Sequence, residues 1–290
     1  MYRKKFTLHS LMYLFLSCLP FFSQANPYPS TKPFPPFKII GNLYYVGNND
    51  LASYLIVTPQ GNILINSSFE KDVPAIKASI EKLGFKFSDT KILLISHAHS
   101  DHDAGSALVK NETHAQYMVM DKDVPVVESG GKTDFQYGDD PDNLYQPTHV
   151  DKILHDNDEV TLGNVTLVAH LTAGHTKGCT TWTMKVNDHN QTYDVVILGS
   201  PNVNPGYKLV NNTVYPEMAI DFAHAFQVLK SLPCDIFLGA HAGYFNMEQK
   251  YNQKQPHQNP FIDPEGYKNY VALKEQAFQT ELQKQQQDNS

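Results

Sequence analysis

The 290-residue chain has few cysteines, few basic residues and no long apolar run in its interior. Three cysteines exclude a disulfide-rich scaffold. The 23 Lys and Arg residues stand against 30 acidic ones, a net charge of −7, which argues against a nucleic-acid-binding surface. No segment after the N-terminal region is apolar enough for a transmembrane helix. The absence of a G-x-S-x-G motif disfavours a serine hydrolase. What the chain has in excess is histidine, with 13 residues.

Residues 1–25 have the pattern of a secretory signal peptide. Three basic residues at positions 3–5 precede the uncharged, mainly apolar run Leu11 to Phe22, and small residues occupy both positions that a signal peptidase reads before Ala25. We expect cleavage after Ala25, export to a bacterial periplasm and a mature chain of residues 26–290. Losing three basic residues and no acidic one leaves 20 basic and 30 acidic groups, a charge of −10. An uncleaved anchor and a lipoprotein signal at Cys18 are the alternatives.

Beyond residue 37, strand patterns precede, alternate with and outnumber helix patterns. The strand-like runs are Ile39–Val46, Leu51–Thr58, Asn62–Asn66, Lys91–Ser96, Tyr117–Met120, Glu159–His170, Thr180–Val186, Asp194–Leu198 and Asp235–Gly239. The predicted helices run from Asp72 to Gly84, Ala104 to Lys110, Glu217 to Leu232 and from about Pro264. Between Met120 and Glu159 lies a long polar loop, Gly130–His149, and loops of this length are often functional. We therefore expect one α/β domain over residues 26–290, with sheets inside and helices outside.

The strongest motif is His97-Ala98-His99-Ser100-Asp101-His102, directly after the apolar run Lys91–Ser96. In extended chain His97 and His99 project to the same side, so that two imidazoles can converge on one ion. Asp101 and His102 would diverge unless the chain turns, and the Asp and Gly residues that follow favour a turn. A chance H-x-H-x-D-H occurs on the order of once in a thousand sequences of this His content. The set suits two zinc ions, and the absence of thiolates argues against iron–sulfur or copper(I) sites.

Two further histidines follow predicted strands among small residues. His175 lies in Gly174-His175-Thr176 and His241 in Ala240-His241-Ala242. Each alone is more typical of a structural histidine. Because sites of layered α/β folds collect at strand ends, we expect both to join the first motif.

With these six residues the chain resembles the metallo-β-lactamase superfamily. The resemblance implies a four-layer αβ/βα sandwich, with two mixed β-sheets inside, helices outside and a dinuclear zinc site at its edge. Glyoxalase-like and lactonase-like members carry a bridging Asp after a Gly, and the first β-lactamase subclass carries a Cys ligand there, whereas this chain has Gly199-Ser200. With serine at that place and the pair Asp101-His102 present, the chain is similar to subclass B3 of the metallo-β-lactamases.

The same resemblance implies roles for individual residues. His97, His99 and His175 would hold one zinc ion, and Asp101, His102 and His241 the other, with Asp101 orienting the attacking hydroxide. The implied reaction is hydrolysis of the β-lactam amide of penicillins, cephalosporins or carbapenems by a zinc-bound hydroxide, without an acyl-enzyme, which confers antibiotic resistance. Ser200 and Asn202 would bind the substrate carboxylate. The implied protein is a periplasmic monomer that binds neither nucleic acid nor, after signal cleavage, a membrane.

Several alternatives remain at this stage. Another zinc hydrolase of the same fold, such as a lactonase or thioester hydrolase, is disfavoured by the missing Gly-Asp bridge, and a periplasmic protein that buffers zinc without catalysis is a different class. Cys179 and Cys234 can form one bridge or stay free. Members of the subclass often link a cysteine placed like Cys234 to one near the C-terminus, but Tyr267 stands at that second place, so we do not expect this disulfide.

Overall fold

Two β-sheets organise the protein, whose computed structural model describes residues 31–255 and 257–288. The predicted signal peptide lies outside these residues. The first sheet contains β1 to β7, which are Phe37–Ile40, Leu43–Tyr45, Tyr54–Thr58, Gly61–Ile65, Thr90–Leu94, Gln116–Met120 and Lys152–Leu154. The second contains β8 to β12, which are Glu159–Leu162, Val165–Leu171, Thr180–Asp188, Gln191–Leu198 and Ile236–Gly239. The helices α1 to α7 are Val73–Lys82, Ser100–Asp103, Ser106–Thr113, Val124–Ser129, Met218–Ser231, Met247–Asn252 and Pro264–Asp288.

Both sheets are mixed. In the first, β1 to β4 form an antiparallel meander and β4 to β7 run parallel, in sequence order across the sheet. In the second, the order is β12-β11-β10-β9-β8, and only the β11–β12 pair is parallel. Parallel strands carry their carboxyl ends to one edge, so β5 and the β11–β12 pair each deliver the chain that follows them to a shared edge.

Alternation along the strands separates the layers. On β5, Ile92 and Leu94 belong to the cluster shared with the second sheet, whereas Leu93 faces outward among buried residues of α1, α3 and α4. A strand buried on both faces reads as a continuous apolar run, as Lys91–Ser96 does. Helices α5 and α7 pack on each other, and α7 also packs on β12, with Phe222 and Phe278 rings 5.5 Å apart. The predicted four-layer sandwich is thus confirmed.

Hydrogen bonds connect the two sheets at the edge where β5 and β12 end. The buried indole of Trp182 on β10 donates to the Ile95 carbonyl at 3.0 Å. Thr180 N donates to the Ser96 carbonyl at 2.8 Å. The Tyr54 hydroxyl on β3 donates to the Gly239 carbonyl at 2.7 Å. These bonds cross from one sheet to the other just before the histidine-bearing loops begin.

Local structure differs from the sequence prediction at several points. The pattern Glu159–His170 is two strands, because Gly163 adopts a positive φ of 61° and turns the chain into a hairpin. The helix predicted from Ala104 begins at Ser106, after the separate turn α2. Asp72 occupies the N-cap of α1 without a capping hydrogen bond, since its carboxylate accepts from the Ser68 hydroxyl instead. The short elements α4, β7 and α6 were not predicted.

The cysteines of the described residues are both free, with Cys179 buried and Cys234 partly buried. Tyr267, which stands where related chains carry the second cysteine, packs in the core instead. It is buried, its ring lies 5.4 Å from that of Phe237, and its hydroxyl donates to the Leu229 carbonyl at 2.7 Å. Within 31–255 and 257–288, the helices are all too short or too polar to cross a bilayer.

Candidate metal centre

The turn after β5 brings the first motif together. His99 is extended and stands immediately before α2, and His102 N donates back to the His99 carbonyl at 3.0 Å. This turn returns Asp101 and His102 towards His97, with which they have ligand atoms within 4.8 Å of one another. The bend that the adjacent pair Asp101-His102 needed is therefore present.

His97, His99 and His175 form a three-histidine group. Their ligand atoms lie within 4.8 Å of one another, and the ring of His175 is 4.6 Å from that of His97 and 4.8 Å from that of His99. His175 reaches this position through Gly174, which has a φ of +132° and whose absent Cβ would lie 2.6 Å from Cγ of Phe222. Any larger residue at Gly174 would therefore displace the histidine that follows it.

Asp101, His102 and His241 form the second group. Oδ2 of Asp101 lies 3.3 Å from Nε2 of His102 and 3.6 Å from Nε2 of His241, and the two imidazole nitrogens are 3.3 Å apart. His241 follows β12, whose last residue Gly239 pairs with Leu198 of β11. It also forms an isolated antiparallel bridge with Leu51, so the second sheet delivers it beside the first.

Burial and neighbouring charges set the protonation of these ligands. Desolvation lowers the pKa of His97 and His175 well below the usual range and that of His99 to about 4, so these rings are neutral at neutral pH. Burial alone would raise the pKa of Asp101, but the adjacent His102 and His241 outweigh it and hold the pKa far below the usual range. The neutral imidazoles of the three-histidine group and the ionised carboxylate of Asp101 are the protonation states in which these residues bind a divalent metal.

The donor chemistry of the two groups indicates which metal they suit. Between them they offer five imidazoles and the carboxylate of Asp101. Nitrogen donors with one carboxylate are a set that zinc favours. The residues present thus fit two zinc ions, one in each group.

Hydrogen bonds on the far side of the rings fix which nitrogen faces the site. His175 Nδ1 donates to the Asn202 carbonyl at 2.8 Å, and His241 Nδ1 lies 3.3 Å from Oδ1 of Asp50. In both rings Nε2 is left with its lone pair directed at the site. Burial lowers the pKa of His241, but the hydrogen bond that its Nδ1 donates to Asp50 outweighs burial and raises this pKa, while the same bond lowers the pKa of Asp50.

Asp123 ties the loops of both sheets together behind the three-histidine group. Its Oδ2 accepts from Ala98 N at 3.0 Å and from the Thr176 hydroxyl at 2.8 Å, and its Oδ1 accepts from Gly178 N at 2.8 Å. Burial raises the pKa of Asp123 to about 7, although these three bonds favour its ionised form. Thr176, which directly follows His175, thus supports the site through this carboxylate.

Ser200 and Asn202 lie beside the second group. Ser200 is buried after the end of β11, and its Oγ is 3.4 Å from Nδ2 of Asn202. Both side chains also contact the hydroxyl of Tyr244, at 3.2 Å from Ser200 Oγ and 2.6 Å from Asn202 Nδ2. Two predicted substrate-binding residues are thus together, in company with a tyrosine that the sequence did not indicate.

Two aromatic residues of the long loop contact the first histidine motif. The Tyr137 ring lies 5.1 Å from His99, and the Tyr145 hydroxyl donates to the Ala98 carbonyl at 2.7 Å. The aromatic residues of β1 and β2 lie elsewhere. Phe37 is buried in the core against Tyr45, and Tyr44 packs on Phe85 at the other face of the sheet.

Four supporting residues were missed by sequence reasoning: Asp50, Asp123, Asp134 and Tyr244. Asp134 has a buried Oδ2 3.7 Å from His99 Nε2. Asp50 lies in a turn whose link to His241 spans 191 residues. Asp123 stands before Val-Pro, just as Asp72 does, and such a sequence indicates a helix start rather than a support for a metal site. Of the four, Tyr244 alone had a local signal in the sequence, because it lies three residues after the candidate ligand His241.

Comparisons with known proteins agree with this geometry. A family model of the metallo-beta-lactamase superfamily matches residues 49–188. The chain is similar to native FEZ-1 metallo-beta-lactamase from Legionella gormanii, with 61% identity, a TM-score of 0.87 and coverage of 89% of this chain and 99% of that one. BJP-1, a subclass B3 metallo-beta-lactamase of Bradyrhizobium japonicum, is 36% identical over 90% of this chain and 98% of its own, with a TM-score of 0.84.

The chain is also similar to a protein that is described as a di-zinc enzyme. LRA-12, a class B3 di-zinc metallo-beta-lactamase from an Alaskan soil metagenome, is 36% identical to this chain. The match covers 87% of this chain and 95% of LRA-12, with a TM-score of 0.81. Identity at this level over nearly whole chains shows the family as well as the fold.

Proposed function

The chain belongs to the metallo-β-lactamase superfamily and, within it, to subclass B3, and we propose that it hydrolyses the amide bond of β-lactam antibiotics with two zinc ions, conferring resistance. The observation that carries the proposal is the convergence of six ligands, three in each group, at one edge of the sandwich. The absence of a bridging Asp at Ser200 separates this site from lactonase-like and thioesterase-like members of the superfamily.

In this proposal His97, His99 and His175 hold one zinc ion, and Asp101, His102 and His241 hold the other. When bound, zinc supplies a water molecule activated near neutral pH and a positive charge that polarises the substrate carbonyl. The ionised Asp101, buried between two imidazoles, accepts a hydrogen bond from the attacking water and orients it. No side-chain nucleophile is required, and the seryl hydroxyl of Ser200 serves binding only.

Ser200 and Asn202 are proposed to hold the carboxylate that β-lactams carry beside the ring nitrogen. Each can donate a hydrogen bond, and a hydrogen bond to a charged acceptor is about twice as strong as one between neutral groups. The chain as a whole is acidic, so the positive charge that attracts an anionic substrate must be local to the metal centre.

Hydrolysis assays with and without a chelator test the function. The zinc-loaded enzyme is expected to open penicillins, cephalosporins and carbapenems, to lose this activity when zinc is removed, and to regain it when zinc returns. Several kcal/mol of transition-state stabilisation correspond to a loss of about a thousandfold. Zinc-dependent turnover of thioesters or lactones without β-lactam turnover, or bound zinc with no turnover at all, would contradict the proposal.

We also propose that residues 1–25 direct the chain to the periplasm, where residues 26–290 act as one monomeric domain that binds neither nucleic acid nor a membrane. The supporting observation is the order of basic, apolar and small residues before Ala25. Intact-mass measurement of the protein from a periplasmic extract should give a chain beginning at Asn26. A mass that retains residues 1–25, or a lipid on Cys18, would overturn this assignment.

A further inference from the structure

We propose that Tyr244 is a positioning residue for the carboxylate-binding pair Ser200 and Asn202 and thereby sets the affinity for anionic substrates. The inference rests on the proposed β-lactamase function and on the proposed role of that pair. Tyr244 itself belongs to neither ligand group. It lies in the 3-10 turn Ala242–Phe245, which follows ligand His241 directly.

Packing fixes the ring of Tyr244 in place. Its centroid is 5.1 Å from that of His241 and 5.2 Å from that of Tyr270. Gly239 leaves space for it, since a Cβ there would lie 2.8 Å from Cδ2 of Tyr244. Its backbone N also donates to the His241 carbonyl at 3.1 Å. These contacts hold the hydroxyl of Tyr244 in one position.

Donor and acceptor counting shows what the hydroxyl does there. Burial raises the pKa of Tyr244, so its hydroxyl stays protonated at neutral pH. Asn202 Nδ2 donates to the Tyr244 oxygen at 2.6 Å, and that hydroxyl can in turn donate to Ser200 Oγ at 3.2 Å. This arrangement leaves the Ser200 hydroxyl proton free for an external acceptor, and the second Asn202 amide proton makes a long contact of 3.4 Å with Ser200 Oγ, which an external acceptor can replace. An anion with two oxygens, such as a carboxylate, matches that pair of donors.

The test compares a β-lactam with its own methyl ester, using zinc-loaded wild type and Tyr244→Phe. We expect the variant to raise KM for the free acid about tenfold, the effect of losing alignment in hydrogen bonds to a charged group, with kcat changed by less than about twofold. For the ester, which lacks the anionic charge, kcat and KM should match those of wild type. Zinc content should stay at two per chain, because no ligand is altered.

Tyr193→Phe is the matched control, because the Tyr193 hydroxyl bonds the Gln191 side chain at the distal end of β11. It should leave all kinetic constants unchanged. Equal losses for acid and ester in Tyr244→Phe, loss of zinc, or an unchanged KM for the acid would each overturn the positioning role. If Ser200→Ala and Asn202→Ala do not reduce the difference in KM between the free acid and its methyl ester, the assignment of this pair to the substrate carboxylate fails instead. If wild type turns over no β-lactam, the proposed function fails.

Discussion

The two ligand groups lie side by side but are supported very differently. His97 is 1% exposed and His175 is 5% exposed, and the loops that carry the three-histidine group are joined by the buried Asp123. In the second group, the His241 side chain is 26% exposed, and its outer nitrogen meets Asp50, whose side chain is 47% exposed, at 3.3 Å. The carboxylate behind the three-histidine group accepts three short hydrogen bonds inside the protein, whereas the outer nitrogen of His241 meets a half-exposed carboxylate at a longer distance.

The two metal positions should therefore differ in affinity. A ligand set that is buried and fixed before the metal arrives loses little freedom on binding, whereas the partly exposed ring of His241, with its half-exposed partner Asp50, must be ordered by the metal itself. We therefore expect the zinc held by Asp101, His102 and His241 to be the more weakly bound of the two. Substitutions that change the support of each group separately test this expectation.

Asp123→Asn should have the largest effect, because it acts on the buried support. The carboxylate accepts three hydrogen bonds, and an amide there would turn its own NH2 towards a donor. We expect a loss of about 3 kcal/mol in the free energy of unfolding, measured by urea denaturation. Zinc affinity of the three-histidine group should fall about 10–100-fold, measured by competition with a chromophoric chelator.

The matched control for this change is Asp72→Asn. Asp72 also precedes Val-Pro at a helix start, but its carboxylate accepts from Ser68 and is partly exposed. It should cost less than about 1 kcal/mol and leave zinc binding unchanged. Equal effects of the two substitutions would mean that Asp123 is no more than a helix-start residue.

Asp50→Asn tests the exposed support and should have an intermediate effect. The amide keeps the size of the side chain but removes the charge that pairs with His241 Nδ1. We expect about tenfold weaker binding of one zinc ion per chain, seen as earlier loss of a single equivalent during titration with a chelator. Because Asp50 is half exposed, the urea midpoint should not change measurably.

Asp188→Asn provides the control, since Asp188 also faces a histidine, His189, at 3.8 Å, but far from any ligand. It should leave both zinc equivalents in place. A simultaneous loss of both equivalents in Asp50→Asn would show that the two positions are not supported independently.

The candidate ligands were easier to find in the sequence than their supports, and the reason is distance along the chain. His97, His99, Asp101 and His102 lie within six residues, so strand spacing and one local turn bring them together. Sheets inside and helices outside were predicted as well, because apolar runs and alternation are local patterns, whereas the four-layer order came from the family resemblance.

The supports depend on tertiary contacts that no local pattern encodes. Asp123 reaches Gly178 across 55 residues, and Asp50 reaches His241 across 191. Both acids stand in sequences typical of turns and helix starts, where short polar residues are expected for local reasons. The hairpin at Gly163 was missed for a related reason, since one strand pattern continued on both sides of the turn.

Thr176→Val should have the smallest effect, because it removes one of three bonds to Asp123 and keeps the shape of the side chain. The Thr176 hydroxyl donates to Oδ2 at 2.8 Å, whereas the two backbone donors remain. We expect a loss of about 1 kcal/mol in unfolding free energy and a reduction of only a few-fold in zinc affinity of the three-histidine group. The control is Thr161→Val, whose hydroxyl pairs with Thr166 on the exposed β8–β9 hairpin at 3.0 Å and should cost no more than about 0.5 kcal/mol. If Thr176→Val were as damaging as Asp123→Asn, the support would depend on this one hydroxyl, and the buried group would be no better secured than the exposed one.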